Sequence, residues 1–456
     1  MSKENNIDLR KRFFRLGIVN IISNLMVPLA SWLDLAFLGH LSDIRYLTGV
    51  ALASILFNYL FNTLGFLRMS TTATTAQAVG SDDLEQVILI LWRNGLLALF
   101  IGIALLVLQQ PLREIGFTVL SGSPEDKISG KDYYDALIWS TPATLLNLVL
   151  LGWFLGLEKN WIILLISFLG NGVKLLLNYF FIVYCDWGST GAGIGTACSQ
   201  YIILVIGIIL SIFALPLQQC KPALFQRIFA AEALKAIFFL NRDIFIRTLA
   251  IISTFAIFSN LSSAFGTLIF ATNSLILQVV TLGVYLIDGL VFATETLVGI
   301  SKSQGDGKAL LLLMKMAGGI SLTIGLALAG VFYVFPEPLF GLLTNHDEVI
   351  EEINIYVGWL FAVLGFGALA FILDAYFLGL TEVVILRNSS LISTLLVFLP
   401  MAIASWHWQN PQLLWLALVC FMLSRLIILG LALPKTFSNC SQQRVALVEN
   451  EGVFRT

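Results

Sequence analysis

The chain has 456 residues, 58% hydrophobic and only 12% charged, with a net charge of −2 and a mean hydropathy of +0.89. A soluble domain carries roughly a quarter charged residues, so the composition excludes an ordinary soluble enzyme and points to an integral membrane protein. The five cysteines show no C-x-x-C or other ligand-like spacing, which leaves no disulfide framework and no metal site to expect.

The charged start MSKENNIDLRKRFFR runs into an apolar stretch much longer than the core of a signal peptide, with no small-residue cleavage site. It is therefore expected to be an uncleaved first span. A membrane helix needs about 20 mostly apolar residues. Twelve segments qualify: 14–39, 46–79, 87–109, 133–157, 160–184, 191–215, 243–270, 273–301, 309–335, 350–380, 383–406 and 412–434. An even number puts both termini on one side. Eighteen of the 26 Lys and Arg residues fall on that side, four on the other and four within spans. The positive-inside rule then predicts a multi-pass protein of the cell (inner) membrane with both termini cytoplasmic.

The two halves echo each other. FLGL occurs at 154–157 and 377–380, and SQYIIL at 199–204 answers SRLIIL at 424–429. TTAQAVGSDD (74–83) answers GISKSQGDGK (299–308), pairing Gly80 with Gly305. Three matches at nearly one offset, each at the same place in its half, predict an all-α membrane protein of twelve transmembrane helices. These form two six-helix lobes in a parallel pseudo-two-fold repeat. The N-terminal lobe is expected over 1–217 and the C-terminal lobe over 243–436, with a cytoplasmic tail at 437–456. A linker at 218–242 is expected to carry a surface amphipathic helix, FQRIFAAEALKAIFF. Duplicated lobes are the architecture of secondary transporters, although a channel or an intramembrane enzyme could also be duplicated.

Charged groups at membrane depth are costly and mark function by default. In the first span, PLASWLDLAFLGHL (28–41) holds Asp34 six residues beyond Pro28, which removes a backbone hydrogen bond and permits a bend. On the fifth span Asn171, Lys174 and Asn178 share one helical face by their i, i+3, i+7 spacing, within reach of Asp34. Two readings stand: a protonatable switch, or a static Asp34–Lys174 strut. In the second lobe Arg247, Glu295 and Asp374 lie at similar shallow depth and suggest a buried gating or structural network. Asp288, near the midplane, is a substrate or ion candidate. Arg68 could contact an anion or snorkel to the interface, and Arg425 is expected to behave similarly. At the repeat offset Asp34 corresponds to Ser259, so the carboxylate is not duplicated.

No P-loop, GxSxG or HExxH motif is present. GAGIG at 191–195 opens a span rather than following a strand, and is expected to permit close helix packing. His40, His346 and His407 read as surface residues. Without an ATP motif, transport has to draw on an ion gradient, with H⁺ or Na⁺ as coupling ion and no cofactor.

VPLASWLDLAFLGHL, with its proline and the Asp34, Gly39 and Leu41 of a D-x-x-x-x-G-x-L pattern, resembles the multidrug and toxic compound extrusion (MATE) family. FLRMSTTATTAQAVG (66–80), LNYFFIVY (177–184), STGAGIGTA (189–197), NRDIFIRTL (241–249), DGLVFATETLVGISKSQGDG (288–307) and LDAYFLGL (373–380) are similar to its DinF-like branch. The resemblance covers essentially the whole chain. It implies two bundles in a V, opening alternately to either side and exchanging H⁺ or Na⁺ for an organic substrate. It also implies that Asp34 couples the cation, working with Asn178, Asn147 and Thr196. Relatives often read N-x-x-x-D on the fifth helix, whereas this chain has Lys174 and Asn178 there, and a lysine beside Asp34 repels Na⁺. The seventh-helix glutamate of the NorM-like branch is absent.

The expected function is a non-enzymatic, proton-coupled antiporter exporting organic compounds of amphipathic or cationic character. The alternative within the superfamily is a lipid-linked precursor flippase; a channel or intramembrane enzyme fits less well. The expected partners are the small substrate, the coupling ion and the bilayer, with no nucleic acid, and the protein is expected to act as a monomer.

Overall fold

The computed structural model describes residues 3–39, 43–120, 123–214, 227–344 and 346–453. Among these, twelve helical spans are long and apolar enough to cross a membrane. The first six are Asn6–Ala30, Arg45–Gly80, Leu84–Val107, Pro124–Gly156, Asn160–Tyr184 and Gly188–Ala214. The second six are Ala231–Ala264, Thr267–Ser303, Gly307–Val334, Trp359–Gly379, Val383–His407 and Pro411–Phe437. The helix of the first span itself runs unbroken over Lys3–Gly39, through Pro28.

Several expected boundaries moved; the tenth span starts at Trp359 rather than 350, because a separate helix, Asp347–Tyr356, takes up the residues before it. The fourth span starts at Pro124 rather than 133, because Ser123 and Asp126 form a reciprocal capping box and Pro124 suits the first helical turn. Residues 231–239, expected in a separate surface helix over 225–239, and the linker residues 240–242 are instead the opening turns of the seventh-span helix, Ala231–Ala264. AEALKAIFFLNRD contains no Gly or Pro, so nothing interrupts propagation. The twelfth helix likewise continues to Val453, through most of the stretch expected as a tail. The linker stretch 218–226, Cys220 and His40 lie outside the described residues.

The described chain divides into two compact units: Ile22–Thr75 with Asp83–Asn241, and Met1–Ile21 with Ala76–Asp82 and Arg242–Thr456. The first has an aromatic core in which Phe57 packs with Phe61, Tyr133 and Tyr134. In the second, the core is built around Phe258 and Trp415, whose rings meet edge to face at 4.9 Å. There the indole donates to Asn273 Oδ1 at 2.8 Å, and Asn273 donates to Ser262 Oγ at 2.9 Å. Apolar transfer does not drive helix association inside a membrane, so such hydrogen bonds and tight packing do.

The repeat is written into the backbone. Left-handed conformations fall at Asp82 and Gly305, Glu158 and Thr381, and Asp186 and Gln409, each pair 223 residues apart. Gly305 therefore answers Asp82 and not Gly80, a correction of two residues. Gly80 serves a different purpose: a Cβ there would stand 2.5 Å from Ile300 O. The FLGL glycines form a true pair. At Gly156 a Cβ would meet Thr75 Cβ at 2.6 Å, and at Gly379 it would meet Glu295 O at 2.5 Å. In both halves a glycine lets the fourth helix of the half press onto its second.

Candidate functional site

The two oxygens of Asp34 have different partners. Oδ2 pairs with Lys174 Nζ at 2.5 Å, and Oδ1 accepts a hydrogen bond from Asn178 Nδ2 at 2.7 Å. Lys174 and Asn178 are one turn apart on the fifth helix, so a single face presents both. Asn178 Nδ2 also lies 3.4 Å from Thr196 Oγ1 on the sixth helix.

Gly195 explains how Asn178 gets so close to that helix, since a Cβ there would collide with Asn178 Oδ1. Its neighbours in GAGIG act alike. A Cβ on Gly193 would meet Ala136 Cβ at 2.6 Å, and one on Gly191 would meet Phe181 O at 2.8 Å. The motif thus seats the fourth and fifth spans against the sixth, as expected of small residues in a membrane bundle.

Asp34, Lys174 and Asn178 line a cavity of about 430 Å³ contained within the first unit. The pair's side chains keep 15% and 19% exposure, so it faces the cavity rather than a dry core. Phe57, Phe61, Leu38 and Val50 supply apolar wall, and Ser140, Thr144, Thr196 and Gln200 supply polar wall. Tyr133, also in the lining, is hydrogen-bonded to Ser54.

The other candidates separate. Asn147 donates to the backbone and side-chain oxygens of Gln200 at 2.9 and 3.0 Å, so it orients a lining residue. Asn171 instead donates to Ser167 O on its own helix at 2.8 Å and is not among the cavity's lining residues. Arg68 is buried on the second span, and Asp288 is half-buried on the eighth, in the other unit. Tyr133, Thr144, Gln200, Ser54 and Asn58 line the cavity without having been singled out. Their signal was available: Ser140 and Thr144, Thr196 and Gln200, and Ser54 and Asn58 are each four residues apart in apolar segments, hence on one face.

In the second unit Arg247 meets Asp374 as expected, but so does Arg425, both through the same carboxylate oxygen. Arg425 is fully buried and does not snorkel. Its guanidinium lies 5.6 Å from the Phe371 ring centroid and 5.4 Å from that of Phe421, which with Asp374 offsets its desolvation. Glu295 is fully buried in the same unit, and the formal charges of these four residues sum to zero.

A MatE family model matches residues 20–180 and again 244–404. The chain belongs to the MatE family. Its second match begins 224 residues after the first, which bears out the internal repeat. DNA damage-inducible protein F of Escherichia coli is 29% identical over 91% of this chain and 90% of its own length, in keeping with the DinF-like resemblance. A probable multidrug resistance protein NorM of Thermotoga maritima is 23% identical over 77% of this chain and 76% of its own. Among solved structures, an outward-facing multidrug resistance MATE family transporter of the MOP superfamily superposes with a TM-score of 0.85. It shares 18% identity, over 95% of this chain and 96% of that one. A MOP superfamily transporter from Pyrococcus furiosus, described as having a binding pocket of reversed polarity, gives 0.82 at 18% identity, over 96% of each chain. The MatE chain is therefore a multi-pass membrane transporter with a two-lobe, twelve-helix fold, not an enzyme.

Proposed function

We propose that this transporter is a proton-coupled antiporter, exporting amphipathic organic compounds that bear positive charge by alternating access. It acts as a monomer in the cell membrane, with both termini in the cytoplasm. The observation that carries this reading is the clasp on Asp34: one oxygen on Lys174, the other on Asn178, at the wall of a cavity. A proton arriving at Asp34 cancels its attraction for Lys174 and frees the ammonium. Asn178 suits both states, because an amide can donate to a carboxylate and, turned over, accept from a carboxylic acid. Pro28, six residues earlier, gives the first helix a point at which to respond.

Two features support H⁺ over Na⁺ and over a flippase. The Lys174 ammonium already sits where a metal cation would have to bind Asp34. Among the described residues Lys174 is the only Lys or Arg in the cavity lining, and it is neutralised by Asp34, which counts against a pyrophosphate headgroup. Arg247, Arg425, Asp374 and Glu295 act as a fixed structural group of the second lobe.

The test is transport in proteoliposomes under imposed H⁺ or Na⁺ gradients, using a dye panel. Wild-type protein is expected to respond to the H⁺ gradient alone, and Asp34→Asn to lose that response. Unchanged pH-driven transport in Asp34→Asn would sink the coupling role.

A further inference from the structure

We infer that the compound held in the Asp34–Lys174 cavity is a zwitterion, its ammonium taken by Asp34 and its anionic group by Lys174. This rests on the antiporter reading for direction but not for binding.

The charges decide it. Among the described residues, Asp34, Lys174 and Tyr133 are the titratable groups that line the cavity, and the formal charges of the first two sum to zero. A simple organic cation has to displace Lys174 from Asp34 and then shares the cavity with an unneutralised ammonium. A simple anion leaves Asp34 in the same position. A ligand that fills the cavity expels the water that screens the empty pair, and like charges left together in the resulting low-dielectric site repel strongly. A zwitterion avoids both penalties by inserting between the two side chains, so that each charge exchanges one partner for another.

The unused hydrogen-bonding capacity matches. Lys174 Nζ has three donors and, among the described residues, Asp34 as its one partner, leaving two for an incoming carboxylate or phosphate oxygen. Among the described residues the buried Asn178 Oδ1, Ser140 Oγ and Thr144 Oγ1, all on cavity-lining residues, have no protein partner. Phe57, Phe61, Leu38 and Val50 provide apolar surface for the rest of the molecule. The volume of about 430 Å³ suits a compact amphiphile.

Such a ligand also has the coupling sign an antiporter needs. The ammonium binds only the ionised form of Asp34, so zwitterion and proton exclude one another. An anion bound at Lys174 alone would instead favour protonation of Asp34, and the two would travel together.

The test is equilibrium binding to the purified full-length protein, with no gradient, using three forms of one scaffold. These are naphthylalanine (zwitterion), its methyl ester (cation) and its N-acetyl derivative (anion). Wild-type protein is expected to bind the zwitterion roughly tenfold or more tighter than either derivative. Lys174→Met should shift preference to the ester, and Asp34→Asn to the N-acetyl form. Two further variants guard against misfolding. Asp34→Asn combined with Lys174→Met removes both charges and should abolish discrimination, whereas Asp34→Lys with Lys174→Asp keeps the pair and should restore it. Ester binding equal to or tighter than the zwitterion in the wild type overturns the inference, as does no binding of any of the three. Discrimination found here together with H⁺-independent transport would overturn only the coupling reading.

Discussion

The two units each carry an acid between basic or polar partners, yet the two groups differ in hydration. Asp34 and Lys174 keep 15% and 19% side-chain exposure at a cavity wall. Asp374 keeps 3%, Arg247 6% and Arg425 none. An ion pair at a hydrated surface can lose a partner to a proton or ligand at small cost, because water screens what remains. A dry group cannot, because each remaining charge is left desolvated. One unit thus holds its charged pair at a cavity wall, and the other holds its charged group in a dry interior.

The sharpest way to break this contrast is to neutralise each acid in turn. Asp374→Ala leaves two guanidinium groups buried without their shared carboxylate and should cost about 3–5 kcal/mol of stability. Thermal unfolding of the purified protein would register it. Asp34→Asn in the same assay should stay close to wild type. Equal losses would mean that the Asp34 pair is a strut after all.

A smaller effect is expected at Gly195. Gly195→Ala places a methyl group against Asn178 Oδ1, costing roughly 1–3 kcal/mol by overpacking and pushing the amide off Asp34. The pH profile of transport should shift, while Gly319→Ala, where a Cβ meets nothing within 4 Å, should leave it unchanged.

The smallest effect concerns charges in plain solvent. Glu114 is held below its usual range by the hydrogen bond from Lys131, and then by Arg113. A depressed carboxylate pKa contributes stability above the unfolded value, and that contribution is lost as pH falls through the folded one. Glu114→Gln should therefore lower the melting temperature only slightly at neutral pH, and the difference should shrink as pH falls below the ordinary Glu value of about 4.3 and vanish once pH is below the depressed folded pKa. A difference growing in acid would contradict this assignment.

Much of this was legible in one dimension because membrane insertion imposes one-dimensional rules. Span length follows bilayer thickness, and every backbone polar group must be satisfied within the helix. The twelve spans, the repeat and the shared face of Lys174 and Asn178 all follow from that. So does the suspicion attached to Asp34, since a charge at that depth needs a partner. Arg425 was misjudged because its sequence neighbours are apolar: the carboxylate it meets is 51 residues away on another helix. Gln200 and Thr144 went unnoticed because a polar residue in an apolar run looks the same whether it faces a cavity or a neighbouring backbone.

By itself, then, the sequence determined the spans, the duplication and the residues that had to be paired. Only the tertiary structure decided the pairings and their hydration: Asp34 with Lys174 beside a cavity, Asp374 between two arginines in a dry interior. The reason is physical. Helical periodicity places side chains on a face, but the dielectric around them is set by which other helices cover that face, and close approach depends on glycines such as Gly195 and Gly379 meeting a particular neighbour.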